Sequence, residues 1–412
     1  MSRRAWLLFH RWVGLVIAGF LLLAGLTGGL IVWYHELDAV VAAELHHLPT
    51  RPAPPAQPTA PDRFDLRERV AAAYPKAWVN YVDLRPLEPG RSAVFFIEGA
   101  IPPGSREHRM LPNDEVFIDP LSGGIVGERR WGAISQGWHN LLPFIYQLHQ
   151  QLALGTVGTW VFGIVALLWT LDCFVGAWLT LPPKAPRSHA TSALRAARRG
   201  WQRWMPAWRV RWRGGAYKLN FDLHRAGGLW LWAMLFVLAW SSVAFNLNAV
   251  YSPVMKLFFA TDDGPVPGPR PKADQIEPGI PWRQAHRMAQ AHMAAEGRRL
   301  GFEVVEPQAL SYDPHKALYR YSVRSSADVR EKFGSTRLWF DANTGELRRS
   351  WLPSGRHAGD TITTWLVTLH IAQVWGLPFR VFVTLMGLVV AMLSITGVVV
   401  WAKKRRARLA AR

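Results

Sequence analysis

The chain has 412 residues, too many for one ordinary soluble domain, and half of them are hydrophobic, with 22 Trp and 19 Phe beside 19% charged residues. That mixture points to membrane spans joined to folded extramembrane parts. One cysteine, Cys173, leaves no intramolecular disulfide, and the absence of Walker, GxGxxG, CxxC and HExxH patterns leaves ATPase, nicotinamide, Fe–S and zinc-protease chemistry without support.

Four stretches reach the roughly 20 apolar residues that a span requires: Trp12–Tyr34, Gly158–Leu181, Leu229–Val250 and Phe379–Trp401. The first, within residues 1–35, is too long for a cleaved signal segment and is read as a retained anchor. His10 and Arg11 stand at one mouth of it and His35 at the other. Their 25-residue gap is about 37 Å of helix at 1.5 Å per residue, which puts the two histidines on opposite membrane faces. Gly14, Ala24 and Gly28 lie near the same side, where small residues admit another helix or a flat macrocycle.

Residues 36–133 form the first outside domain. A Pro-rich linker over 49–62 leads to a helix near Leu66–Tyr74 and strand-like runs at Trp78–Leu84, Ala93–Glu98 and Glu115–Ile118. A turn at Asp119–Gly124 then feeds Ile125–Arg129. Residues 134–181 carry an interfacial helix with His139 and His149, then the second span. Ten positions apart, these two histidines would face different ways on one helix. Asp172 lies late in that span, where an acid is costly and becomes a candidate proton-relay residue, or else an acid near the interface.

Residues 182–220 are a loop with ten Lys/Arg and no acid. Residues 221–250 hold the third span, whose opening Asp222-Leu223-His224-Arg225 echoes Phe9-His10-Arg11. Residues 251–360 form the second outside domain. It has a Pro/Gly linker (264–281), a helix at Arg283–Gly297, strands near Leu310–Tyr312, Tyr319–Val323 and Arg337–Phe340, and a turn at Asp341–Glu346. Residues 361–402 bring a second interfacial helix, His370 and the fourth span, and 403–412 is a basic tail with six Lys/Arg.

Of 29 acidic residues, 27 fall in 36–150 and 251–360. The positive-inside rule then places both termini and the middle loop in the cytosol. The net charge of +19 thus reads as topology and contact with anionic membrane lipid, not as a nucleic-acid partner. The fold class is a membrane α-helical bundle of four spans in two parallel repeats, each running span, outside α+β domain, His, span.

A two-fold bundle of this kind pairs His10 with His224 at the inner edge and His149 with His370 at the outer edge. Two neutral imidazoles from facing helices fill both axial positions of a haem iron, so one or two haem groups are expected. His35 and His139 are secondary ligand candidates, and Arg11 and Arg225 are possible propionate contacts.

Several motifs carry a resemblance. They are Phe9-His10-Arg11-Trp12 with Gly14, Leu26-Thr27-Gly28-Gly29, Leu148-His149, Leu369-His370, and the endings Phe117–Gly123 and Trp339–Gly345. In these the chain resembles the PepSY-associated transmembrane family of bacterial iron-regulated membrane proteins over nearly its whole length. The third span departs from the pattern, with Ser241-Ser242 in place of Thr27-Gly28. The resemblance implies two PepSY-like outside domains, haem b, an inner-membrane location and a reductase acting on ferric siderophore or another iron chelate, fed by an unidentified electron donor. Two other readings are a PepSY-type binding or regulatory protein without redox activity, and a small proton-coupled transporter using Asp172.

Overall fold

A computed structural model describes residues 2–48, 62–99, 109–183, 193–262, 264, 266, 268 and 277–411. The first Pro-rich linker lies outside the described residues except for Asp62, and the second lies largely outside them. In chain order the elements are α1 (Arg3–Ile31), α2 (Tyr34–Val41), α3 (Ala43–His46), α4 (Arg63–Ala73), β1 (Ala77–Trp78), β2 (Tyr81–Asp83), β3 (Ala93–Phe96), β4 (Glu98–Gly99), β5 (Glu115–Ile118), β6 (Ile125–Arg129), α5 (Leu141–Gln151), α6 (Gly155–Thr180) and α7 (Ala193–Trp204). There follow α8 (Ala216–Trp230), α9 (Trp232–Asn246), α10 (Asn248–Phe258), α11 (Trp282–Leu300), β7 (Val304–Asp313), β8 (Leu318–Ser325), β9 (Thr336–Asp341), β10 (Leu347–Trp351), α12 (Ala358–His370) and α13 (Gly376–Ala410).

The chain divides into two units. One comprises Met1–Val32, Tyr146–Val254 and Leu369–Arg412; the other comprises Trp33–Ile145 and Met255–Thr368. The first unit is helical. Among the described residues α1, α6 and α13 are each long and apolar enough to cross a membrane, and α8 with α9 makes a fourth span if the pair counts as one. The sequence predicts an unbroken third span. Instead α8 and α9 meet at Leu231 with a bend of 72°.

Small residues set the helix contacts. A Cβ added to Gly25 on α1 would lie 2.5 Å from the Gly387 carbonyl oxygen on α13, and one added to Gly163 on α6 would lie 2.9 Å from the Asn246 carbonyl oxygen on α9. Lipid tails are as apolar as Leu, so helices in a bilayer associate by close packing, and glycine allows the closest approach. Leu235, Leu238, Met386 and Val390 are buried at the centre, with Leu21, Trp169 and Cys173 against them.

α5 ends before α6 begins because the chain turns through left-handed residues: Leu152 (φ 55°), Ala153 (φ 53°) and Gly155 (φ 57°). The same happens between α12 and α13 at Ala372 (φ 55°), Trp375 (φ 56°) and Gly376 (φ 58°). L-residues pay about 1 kcal/mol or more for this conformation, so the surrounding packing must hold both breaks. Each break leaves its histidine, His149 or His370, at or near the end of a separate helix.

The second unit holds the sheets. The sequence reads residues 36–133 and 251–360 as separate domains, but β2 of the first pairs antiparallel with β7 of the second, Val82 opposite Leu310. The result is a five-stranded sheet in the order β10-β9-β8-β7-β2, beside a three-stranded sheet β3-β5-β6 and the pair β1-β4. α11 covers one face of the large sheet: Trp282, Ala285, Ala289 and Met293 pack with Leu310, Tyr319, Leu338 and Phe340. A second core gathers Leu66 and Val70 of α4 with Phe95, Val116 and Ile118.

Local chemistry sets the boundaries. Asp62 caps α4 in a reciprocal box with Asp65. The two predicted turns are alike: Asp119 N–H donates to the Gly124 carbonyl at 2.8 Å with Gly123 at φ 70°, and Asp341 N–H donates to the Glu346 carbonyl at 2.9 Å with Gly345 at φ 78°. Strand β10, Leu-Arg-Arg-Ser-Trp, is absent from the sequence reading; it is a half-buried edge without an apolar alternation. The predicted run Trp78–Leu84 is two strands, because β1 and β2 pair with different partners.

Arg129 is 2% exposed, a charge tolerated because its donors are taken by Asp38, Glu115 and the His139 carbonyl. Burial opposes ionisation of Asp38, but hydrogen bonds from His46 and Arg129 outweigh it and hold the carboxyl below its usual range.

Candidate functional site

All four paired histidines lie in the helical unit. His10 on α1 and His224 on α8 have ring centroids 6.1 Å apart with planes at 52°. His149 on α5 and His370 on α12 have centroids 6.3 Å apart at 70°. Two imidazoles bound on opposite sides of one metal ion have about this separation: two metal–nitrogen bonds of about 2 Å and two nitrogen-to-centroid distances of about 1.1 Å sum to about 6 Å.

The hydrogen bonds fix the tautomers. The Thr27 hydroxyl donates to the Leu23 carbonyl at 2.7 Å, so at 3.1 Å from His149 Nδ1 it must accept, and His149 carries its proton on Nδ1. Ser241 does the same. It donates to the Val237 carbonyl at 2.6 Å and accepts from His370 Nδ1 at 2.6 Å. His224 Nδ1 donates to the Leu393 carbonyl at 3.0 Å, which can only accept, with the Thr396 hydroxyl at 3.2 Å. His10 Nδ1 lies 2.8 Å from Asp172 Oδ1. With Nδ1 engaged in every ring, Nε2 is the nitrogen left to bind a metal, and the partner on Nδ1 orients the ring and raises its basicity.

Glycines make room for the rings. A Cβ on Gly28 would lie 2.8 Å from His149 Cε1, one on Gly397 3.0 Å from His224 Cε1, and one on Gly176 3.4 Å from His10 Cε1. One turn beyond His10 and His224 stand Gly14 and Gly228, and each has nothing within 4 Å of its Cβ position. The two pairs occupy different depths. His10 and Thr27 are 17 residues apart on one continuous helix, about 26 Å at 1.5 Å per residue. Apolar Leu235, Leu238, Met386 and Val390 lie buried in the same bundle.

The other candidates fare differently. Asp172, 8% exposed, is the partner of His10 and neither a capped nor a solvated acid. Arg225 Nη2 donates to Asp222 and to the Pro206 carbonyl and its guanidinium lies over the Phe221 ring, while its buried Nε has no partner among the described residues. Arg11 is half-buried on α1. His35 and His139 belong to the sheet-bearing unit and join neither pair. His35 stacks on Phe333 at 5.5 Å, and burial first, then Arg85, holds its pKa below the usual histidine value. His139 lies 3.7 Å from Glu44. Among the described residues no group of three or more His, Cys, Asp or Glu converges as in a zinc site.

Sequence reading missed the partners of the rings. Thr27 follows His10 by 17 positions and Ser241 follows His224 by 17, and that equal spacing was the available signal. Ser241-Ser242 reads as a degenerate copy of Thr27-Gly28, yet the hydroxyl that matters is kept. Thr396 and the Leu393 carbonyl are invisible in one dimension, because their role depends on where α13 passes α8.

Three apolar helices long enough to cross a membrane, or four if α8 and α9 count as one span, define a membrane protein. The chain matches the PepSY-associated TM region family over residues 7–404 and belongs to that family. Comparison with curated proteins returns no match.

Proposed function

We propose that this protein is a haem b oxidoreductase of the bacterial inner membrane that passes electrons from the cytosolic side to chelated ferric iron outside, with siderophore-bound iron as the substrate class. The observation that carries this reading is the pair of imidazole couples, with centroids 6.1 and 6.3 Å apart and every Nδ1 already engaged. Glycines at 14 and 228, open where a side chain would stand, suit the approach of a flat ring. In this reading the two halves of the chain are parallel repeats, the basic loop and both termini are cytosolic, and the sheet-bearing unit is outside.

Bound haem supplies reversible one-electron chemistry. His10 and His224 would hold one group and His149 and His370 the other. Asp172 places a carboxylate charge beside the His10 ring, whereas Thr27, Ser241 and the Leu393 carbonyl hold theirs through neutral oxygens. The buried Leu, Met and Val side chains keep water out of the bundle centre. Ferric iron binds hard oxygen donors tightly and ferrous iron less so, so reduction alone loosens the chelate and no protein acid or nucleophile is needed.

The test is a pyridine haemochrome assay on purified protein. Two haem b groups per chain are expected, with one lost in His10→Ala or His224→Ala and the other lost in His149→Ala or His370→Ala. A folded protein without reducible low-spin haem would end the proposal.

A further inference from the structure

The five-stranded sheet has one face under α11 and one turned away from it. On β8 and β9 the side chains alternate: Tyr321 and Leu338 are buried beneath α11, so Arg320, Ser322, Arg337 and Trp339 belong to the other face. The strand register aligns Arg320, Trp339 and Arg349 in one row across β8, β9 and β10, and Ser322, Arg337 and Trp351 in the next. Guanidiniums therefore alternate with indoles: Arg337 lies 4.8 Å over the Trp351 ring and Arg349 lies 5.8 Å over the Trp339 ring.

Arg349 is paired with Asp262 at 2.8 Å, but among the described residues Arg320, Arg330 and Arg337 have no ion-pair partner. Burial first, then Arg320 and Arg330 beside it, press the Arg337 guanidinium down to about 10. Arg330, in the β8–β9 connection, has a buried Nε without a partner. The acid near them, Asp328, already accepts from Ser325, Ser335 and Thr336. Arg320 is exposed to solvent, and among the described residues its one side-chain hydrogen bond is to a hydroxyl, Ser311 Oγ at 3.2 Å from its Nε. Guanidiniums this close repel one another until an anion arrives, and a planar aromatic anion adds stacking on guanidinium and indole to the charge-assisted hydrogen bonds.

We propose that this sheet face binds an anionic aromatic iron chelate of the catecholate class through Arg320, Arg330 and Arg337, with Trp339 and Trp351 as the stacking surface. The choice of an iron chelate as ligand rests on the reductase reading; the charge and the aromatic alternation choose its class. A ferric tris-catecholate is strongly anionic, whereas a ferric tris-hydroxamate carries no negative charge and gains nothing from three arginines.

The experiment titrates the full-length protein in neutral detergent with gallium(III) tris-catecholate by calorimetry, with gallium(III) tris-acetohydroxamate in parallel. Gallium(III) mimics ferric iron but is not reduced, so binding is read whether or not the chain carries haem, and loss of binding is distinguishable from loss of reductase activity. The catecholate complex should bind, more weakly as salt rises, and Arg320→Gln should weaken it about tenfold or more. Arg299→Gln, on α11, should change nothing. The hydroxamate complex should not compete. Equal binding of both complexes, no binding of the catecholate, or an Arg320→Gln variant with unchanged affinity would each overturn the proposal. So would full displacement of the catecholate by anionic phospholipid at low concentration, which would assign the face to headgroups.

Discussion

At the scale of single residues, the four paired histidines differ chiefly in what holds Nδ1. Three rings are tied to neutral groups: the Thr27 and Ser241 hydroxyls, and the Leu393 carbonyl with Thr396. His10 alone is tied to a carboxylate, Asp172. Partners of this kind typically change metal affinity about 10–100-fold. Under the proposed haem reading, Asp172→Asn keeps the shape and removes the charge, so it should weaken haem retention at the His10–His224 pair within that range and raise the midpoint potential of that haem. The His149–His370 haem should not move, and Thr27→Val and Ser241→Ala should perturb it instead. Optical redox titration resolves the two; coincident shifts in both haems after Asp172→Asn would show that the charge is not acting locally. Histidines and an acid inside spans are legible in a sequence because polar groups there are costly. The hydroxyls are not, because a span Thr or Ser ordinarily satisfies itself on its own helix, as Thr27 and Ser241 also do through Leu23 and Val237.

At the scale of elements, the decisive contact is between α1 and α13 at Gly25 and Gly387. Added side-chain carbon at either position would run into backbone oxygen of the other helix, so the helices could accommodate it only by moving apart. Gly387→Leu should cost about 1–3 kcal/mol, the usual range for overpacking, read as a lower thermal transition in detergent and accompanied by loss of haem. Gly19→Ala, with nothing within 4 Å of the added carbon, should be neutral and serves as the control. A glycine in a span is readable; which glycine meets which is not, since Gly14, Gly19 and Gly25 look equivalent along the chain and only Gly25 faces another backbone. The breaks before α6 and α13 show the same limit. Gly155 and Gly376 announce them, but Leu152, Ala153, Ala372 and Trp375 adopt left-handed conformations that their own side chains disfavour.

At the scale of the whole molecule, charge predicts orientation. In a Cys173→Ser background, a cysteine at the exposed turn residue Asn343 should react with a membrane-impermeant maleimide on spheroplasts, and one at Lys404 only after lysis. Labelling at Lys404 in sealed spheroplasts would reverse the topology and with it the proposed direction of electron flow. The sheet-bearing unit departed furthest from expectation, because β2 from residues 36–133 completes a sheet built from residues 251–360. Strand patterns carry period and burial but not the identity of a distant partner, so two regions that read as independent domains share one sheet.

By itself the sequence determined the apolar stretches, the basic and acidic segments between them, the two turns and the four histidines. Each of these follows from local composition or spacing, where hydrophobicity, charge or backbone freedom acts within a few residues. The repeat also predicted which histidines pair, and the rings of both couples are adjacent; tertiary structure alone decided that neighbouring helices hold every Nδ1, that the third span bends at Leu231 and that the sheet joins both regions. Apart from the bend, those outcomes depend on contacts between groups more than a hundred residues apart.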